Sequence, residues 1–234
     1  MQTAGVESSL VAAAHELKTP LVLLRQLALE LENTDDENRR IEVVRRIKLT
    51  TERSLRLVDN LTKIANLDGA MFDMEPIQLP GLCYEVVNEL TPLSRALGQS
   101  FNIKNSRVTP VAVGHRELMR SLIMSLIDNA LQYNSDNQPI KISSKVERNE
   151  ATIAIRDYGP IMEISQYKKL EQSLGNQAMP IAARPLSSGL GLMIAGQLVR
   201  AMQGRLSVSR HHSGGMTFRV HLPASRQLAL MDLV

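Results

Sequence analysis

His15-Glu16-Leu17-Lys18-Thr19-Pro20 places an imidazole, a carboxylate and a hydroxyl on about one helical turn and ends them on a proline. A neutral imidazole near its titration midpoint is a nucleophile at neutral pH, so His15 can accept a phosphoryl group. Glu16 is placed to take a hydrogen bond from the other ring nitrogen, which fixes the tautomer and offsets the positive charge growing on the ring. Thr19, one turn on, brings a hydroxyl within reach to orient water, the arrangement needed to hydrolyse a phosphoryl group held elsewhere. Pro20 deprives the Glu16 carbonyl of its helical partner, so a bend is expected there. The hexapeptide alone is equally compatible with a solvated His and Glu on a bundle face.

Three further stretches carry groups suited to a nucleotide. On the helical pattern Ser121 to Tyr133, Leu122, Leu126 and Ile127 are spaced to face a sheet, while Ser125, Asn129 and Gln132 share another face; Asn129 offers an amide oxygen suited to a hard cation such as Mg²⁺. Ile153 to Asp157 reads as a strand ending in a carboxylate, followed by a turn at Tyr158-Gly159-Pro160. Ser187-Ser188-Gly189-Leu190-Gly191-Leu192 reads as a glycine-rich entry to a helix, where free amides and the positive end of the dipole face an anion. Each has a plain structural alternative: an exposed amide, a strand-end turn, and helix-entry packing.

The elements that must hold these groups follow from periodicity. Leu10, Ala14, Leu17, Leu21, Leu24, Ala28 and Leu31 alternate at three and four, predicting a helix from about Val6 to Asn33 with His15 beside its seam. Thr34 to Glu37 supply a polar turn with capping groups, and a second helix reaches about Leu67. A lone hairpin with two apolar sides needs a partner, so a four-helix bundle of two chains is expected. Residues 68 to 80 break the pattern with Gly69, Pro76 and Pro80 and predict a linker with a first edge strand. Beyond it are expected a helix from Leu82 to Leu97 closed by Gly98, short strands at 101–103 and 111–113, and a helix from Arg116 to about Tyr133. Strands at 140–147 and 151–157 flank a turn at Asn149-Glu150; a helix from Leu192 to Met202 leads to strands at 205–210 and 216–222, with Gly214-Gly215 between them. An all-helical hairpin followed by mixed strands and helices argues for α+β.

His15 to Pro20, with the asparagine helix, the Asp-Tyr-Gly strand end and the Gly-Leu-Gly-Leu stretch in that order, resembles sensor histidine kinases over nearly the whole chain. The resemblance implies a dimeric helical hairpin carrying the phosphorylated histidine (residues 1–68), a linker and edge strand (69–80), an ATP-binding domain with a three-layered α/β sandwich fold (77–223) and a tail (224–234). It implies His15 as phosphoacceptor, Glu16 as assisting base and Thr19 as the residue tied to phosphatase activity, and Asn129 as the Mg²⁺ ligand with Ser125 and Tyr133 on the same helix. It further implies Asp157 as the reader of the adenine amine beside Gly159, and Gly189, Leu190, Gly191 and Leu192 as the second glycine box. Residues 159–189 would form a mobile lid with Lys168, Lys169 and Arg184 as phosphate contacts. ATP, Mg²⁺, a second copy of the chain and the receiver aspartate of a response regulator are the implied cofactors and partners.

The departures from the family pattern gather at the nucleotide stretches. Ser125 replaces an asparagine, Gln132 a lysine, His115 an aspartate and Ile161 a glycine, and the lid lacks a clear phenylalanine motif. Each lost charge-assisted contact weakens binding by about 1–3 kcal/mol. Two alternatives therefore stay open beside the kinase: a response-regulator phosphatase or phosphotransfer module on the same fold, and a scaffold whose basic second helix, with Arg45 and Arg46, docks an acidic receiver without chemistry.

The 234 residues suffice for one or two cores, and a formal charge of +3 with 22% charged residues is ordinary. With 3% aromatics there is no stacking repertoire for nucleic acid. Cys83 is the only cysteine, so no intrachain disulfide forms, and its apolar surroundings predict an inert buried thiol. No apolar run approaches the roughly 18 residues that span a bilayer, and no signal peptide is apparent. The expectation is a cytoplasmic chain, either an excised core of a larger membrane-associated sensor or a protein whose input comes from elsewhere.

Overall fold

A computed structural model describes residues 3–67, 72–104, 106–135, 138–175 and 190–225; the side chains of residues 3–13, 15, 16, 175 and 190 lie outside the description. Two helices open it, α1 (Thr3–Glu32) and α2 (Glu37–Ala65). Asp36 caps α2, its Oδ1 accepting from Asn38 N at 2.9 Å and Arg39 N at 3.4 Å. Arg39 Nε donates to Glu30 Oε1 at 2.7 Å and clasps the hairpin at its tip. α1 runs without interruption across Pro20. Leu27 and Val43 are fully buried, whereas Leu21, Ile41 and Leu55 are about 60% exposed at 60%, 61% and 59%. The hairpin thus covers one apolar face and leaves a second open to solvent.

The rest is built on β1 (Glu75–Gln78), α3 (Leu79–Ala96), β2 (Phe101–Lys104), β3 (Val111–Gly114), α4 (Arg116–Tyr133), β4 (Ile140–Glu147), β5 (Glu150–Arg156), α5 (Ile164–Gly175), α6 (Leu190–Ala201), β6 (Arg205–Arg210) and β7 (Met216–Pro223). The main sheet runs β2-β4-β5-β7-β6, with β2 parallel to β4 and every other pair antiparallel; β1 and β3 form a separate antiparallel pair. Alternation sets the core: Ile153 and Ile155 of β5 and Met216, Phe218 and Val220 of β7 are buried beneath α4 and α6, while Arg156 and Arg219 lie on the other face. The arrangement is the expected α+β fold, with helices packed on the mixed sheet.

Four boundaries differ from expectation. α3 starts at Leu79, because Pro80 sits in its first turn, where a missing amide costs nothing. The β4–β5 turn is Arg148-Asn149 rather than Asn149-Glu150, since Glu147 pairs with Glu150 and Arg148 takes the positive φ of 55°. Residues 164–175 form α5, so the first part of the expected lid contains a helix packed on β6 and α6, with Leu170 and Leu174 buried. Lastly, Ala224 and Ser225 continue in order beyond β7, donating to Asn149 O and Val111 O, each at 2.9 Å. The remainder of the apolar tail, Gly69 and residues 176–189 lie outside the described residues.

Cys83 is buried in α3, and loss of hydration pushes its thiol up to about 12. With the folded value raised above the unfolded one, this group's contribution to stability is complete below about pH 8.5 and is lost as pH rises towards 12. A thiol reagent added to native protein at pH 8 is expected to leave Cys83 unmodified, with full labelling in denaturant; rapid native labelling would show the burial to be wrong.

Candidate nucleotide and phosphotransfer site

α4 is the element on which the site depends. His115 holds its N-terminus in place of an acidic cap: its backbone is extended and its Nδ1 accepts from Leu118 N at 3.4 Å. The substitution of His115 for an aspartate is therefore absorbed by the helix start. Leu118, Leu122, Leu126, Ile127 and Ala130 bury one face of α4, as expected, and Ser125, Asp128, Asn129 and Gln132 form a polar strip on another. At its C-terminal end Asn134 Oδ1 accepts from Tyr158 N at 2.8 Å and Ser135 Oγ donates to Tyr158 O at 2.7 Å. These bonds fix the α4 helix against the turn that follows β5.

That turn holds Asp157, which is 1% exposed. Its Oδ1 accepts from Gly159 N at 3.0 Å and Met216 N at 3.3 Å, and its own amide donates to Met216 O at 3.0 Å. Gly214 and Gly215, with φ of 90° and 73°, let the β6–β7 turn approach Asp157 and Gly159 backbone to backbone. Thr217, buried beside this turn, pairs its hydroxyl with His211 Nε2 at 2.7 Å. Burial first, and then the Arg156 and Arg219 charges, hold the His211 imidazole below its ordinary value.

A cavity of about 830 Å³ opens between the hairpin and the sheet domain. Thr19 and Pro20 of α1 form one wall, and Arg53, Arg56 and Asn60 of α2 a second. Opposite them stand Ser125, Asn129 and Tyr133 of α4, Gly191 and Leu192 of α6, and Met216 and Phe218 of β7. Ser125 Oγ donates to Gly191 O at 3.3 Å, joining the asparagine helix to the glycine-rich helix start.

Of the residues singled out from sequence, Thr19, Ser125, Asn129, Tyr133, Gly191 and Leu192 therefore meet at one cavity. Asp157 and Gly159 do not line it and are tied to it through Met216. His15 and Glu16 lie on α1 one turn before Thr19, with side chains outside the described residues, as is that of Leu190; Gly189 and Arg184 lie outside them altogether. Lys168 and Lys169, expected as phosphate contacts, sit on α5 and line no part of the cavity.

The basic run of α2 is not merely a solvated face. Arg45 donates to Ala96 O, Arg53 to Gln132 Oε1, and Lys63 Nζ to Ser121 Oγ at 2.5 Å. Arg53 Nε lies 3.4 Å from Asp128 Oδ2 and Arg56 Nη2 lies 3.2 Å from Asp128 Oδ1. Reasoning from sequence missed Arg53, Arg56, Asp128, Asn134 and Met216 at the site. Asp128, next to Asn129, was the one available signal, a carboxylate on the polar strip facing no cation of its own helix.

Among the described residues no three His, Cys, Asp or Glu side chains gather as a metal site. Mg²⁺ commonly takes one or two protein ligands together with substrate phosphates, and the half-buried Asn129 amide on the cavity wall fits that use.

Residues 114–226 match the family described as histidine kinase-, DNA gyrase B- and HSP90-like ATPases. The chain is 26% identical over 215 residues to the sensor protein CutS of Streptomyces coelicolor, covering 90% of this chain and 51% of that protein. It is 29% identical over 225 residues to the sensor protein SphS of Synechococcus elongatus, covering 92% and 54%. The chain thus spans about half the length of the curated relatives it matches. Its fold is that of the Acinetobacter baumannii histidine kinase AdeS, with a TM-score of 0.62 and 18% identity over 91% of this chain and 98% of that one. No described helix is long and apolar enough to cross a membrane. These matches place a histidine kinase-, DNA gyrase B- and HSP90-like ATPase domain within residues 114–226, in a chain similar over about nine-tenths of its length to parts of sensor proteins.

Proposed function

We propose that this chain binds Mg·ATP in the cavity between hairpin and sheet, transfers the γ-phosphoryl group to His15 and passes it to an aspartate of a response regulator. The observation that carries the reading is that one cavity is walled both by the turn after His15, through Thr19 and Pro20, and by Asn129 and Gly191. ATP supplies the phosphoryl group, and the residues supply position and charge. Asn129 holds the cation against the phosphates, the amides at the start of α6 face them, and the Asp157 turn, which lies off the cavity, holds Met216 of its wall in place. Glu16 takes the hydrogen bond from the His15 ring nitrogen that does not attack, and Thr19 orients water for the reverse hydrolysis.

The test is incubation of the purified chain with γ-labelled ATP and Mg²⁺. Acid-labile, alkali-stable label is expected, falling at least about tenfold in Asn129→Ala. Label that resists acid, or is indifferent to Asn129, would refute the reading. One observation favours a phosphatase or docking module instead: Gln132 stands where a phosphate-binding cation would serve and is engaged by Arg53 of α2. A folded chain that takes no label yet accelerates loss of phosphate from a phosphorylated receiver would establish that second reading.

The open apolar stripe on the hairpin, with Leu21, Ile41 and Leu55 exposed, supports a homodimeric bundle in which a second copy covers it. Leu55→Glu is expected to shift the sedimenting species from dimer to monomer at micromolar concentration. A wild-type chain that sediments as a monomer would count against the bundle.

A further inference from the structure

Among the described residues the charged groups lining the cavity are three: Arg53, Arg56 and Asp128. Both of these cations come from the hairpin, and Asp128 lies between them, 3.4 Å from Arg53 Nε and 3.2 Å from Arg56 Nη2. The pairing is incomplete. Arg56 Nε is buried and has no hydrogen-bond partner, while the side chain as a whole is 24% exposed. A guanidinium donor shut away from water without an acceptor is costly and uncommon, and the Arg56 side chain that carries it lines the cavity.

We infer that Arg56 and Arg53 are phosphate-binding residues contributed by the hairpin, with Asp128 holding the two guanidiniums until a polyphosphate displaces it. The inference rests on the reading of the cavity as a nucleotide site and adds the source of its positive charge. Guanidinium groups suit the role because their planar donors match phosphate oxygens two at a time. Arg56 lies one turn after Arg53 on α2, so both present to the strip of α4 that carries Asn129. Nucleotide affinity in this protein then depends on the hairpin being docked, because neither half of the cavity alone holds both the amide and the cations.

Titration of the full chain with ATP and with adenosine, in Mg²⁺, separates the possibilities. Arg56→Gln and Arg53→Gln are each expected to weaken ATP about tenfold and leave adenosine unchanged, with Arg56→Lys recovering part of the loss. Asp128→Asn is expected to tighten ATP several-fold, since it removes the competing carboxylate. Glutamine variants that bind ATP like wild type would overturn the inference. So would equal losses for ATP and adenosine, or weaker ATP binding by Asp128→Asn, because both results would assign the arginines to docking alone. A wild-type chain that binds neither ligand would refute the nucleotide reading itself and the inference with it.

Discussion

Gly215→Ala is expected to lower the stability of the sheet domain by about 3–5 kcal/mol, enough to remove most of the folded protein at physiological temperature. Two costs add. Gly215 has φ of 73°, which an alanine adopts only with strain. A Cβ built there would also lie 2.0 Å from Asp157 O and 2.8 Å from Tyr158 Cα, backbone atoms just beyond the β5–β7 ladder, where Asp157 N donates to Met216 O. Relief requires the turn to withdraw, which breaks the Met216 N and Gly159 N bonds to Asp157 Oδ1 and opens one end of the cavity. Gly81→Ala is the control: no atom lies within 4 Å of its Cβ and it sits in the first turns of α3, where alanine is neutral or slightly stabilising. Urea unfolding of the two variants checks the contrast, and a wild-type midpoint for Gly215→Ala would contradict the described turn.

His15→Gln is expected to reduce incorporation of label from γ-labelled ATP to background while leaving ATP affinity and the helical content unchanged. The amide is close in size to imidazole and polar, but it is no nucleophile at neutral pH, so the loss reads the chemical step alone. Glu16→Gln keeps the hydrogen-bond acceptor and removes the charge, and a fall of about 10²-fold in the labelling rate is expected. Thr19→Ala is expected to keep the label and lengthen the lifetime of a phosphorylated receiver. Label persisting in His15→Gln would place the acceptor elsewhere and remove the basis for reading Thr19 as its neighbour.

What sequence conveys about this fold follows from how local each signal is. α4 was legible from Arg116 to Tyr133 because its apolar residues repeat at helical spacing and an extended residue precedes it. The β4–β5 and β6–β7 hairpins were legible through alternation and through Gly214-Gly215. α5 was not, since Gln166, Lys168, Lys169, Glu171 and Gln172 leave few apolar positions and the expectation of a lid masked its periodicity. At the site, Asn129, Thr19 and Gly191 were identified by residue type and order. Arg53 and Arg56 were hidden within a basic run of α2, because what distinguishes them is a carboxylate 72 residues further on in the case of Arg56 and Asp128. Tertiary pairing of that kind leaves no local trace.

The order of strands also sets the timetable of folding. α1 and α2 meet across a short turn, so the hairpin needs only neighbours in sequence and can form in microseconds. Phe101 of β2 must wait for Ile140 of β4, and Ile155 of β5 for Phe218 of β7, so the sheet closes only when its final strand arrives. During synthesis the hairpin is therefore complete while the sheet is still missing β7, and its exposed apolar stripe is available to a neighbouring nascent chain before any nucleotide site exists. The second copy proposed to cover this stripe can therefore engage it before the ATPase domain is complete.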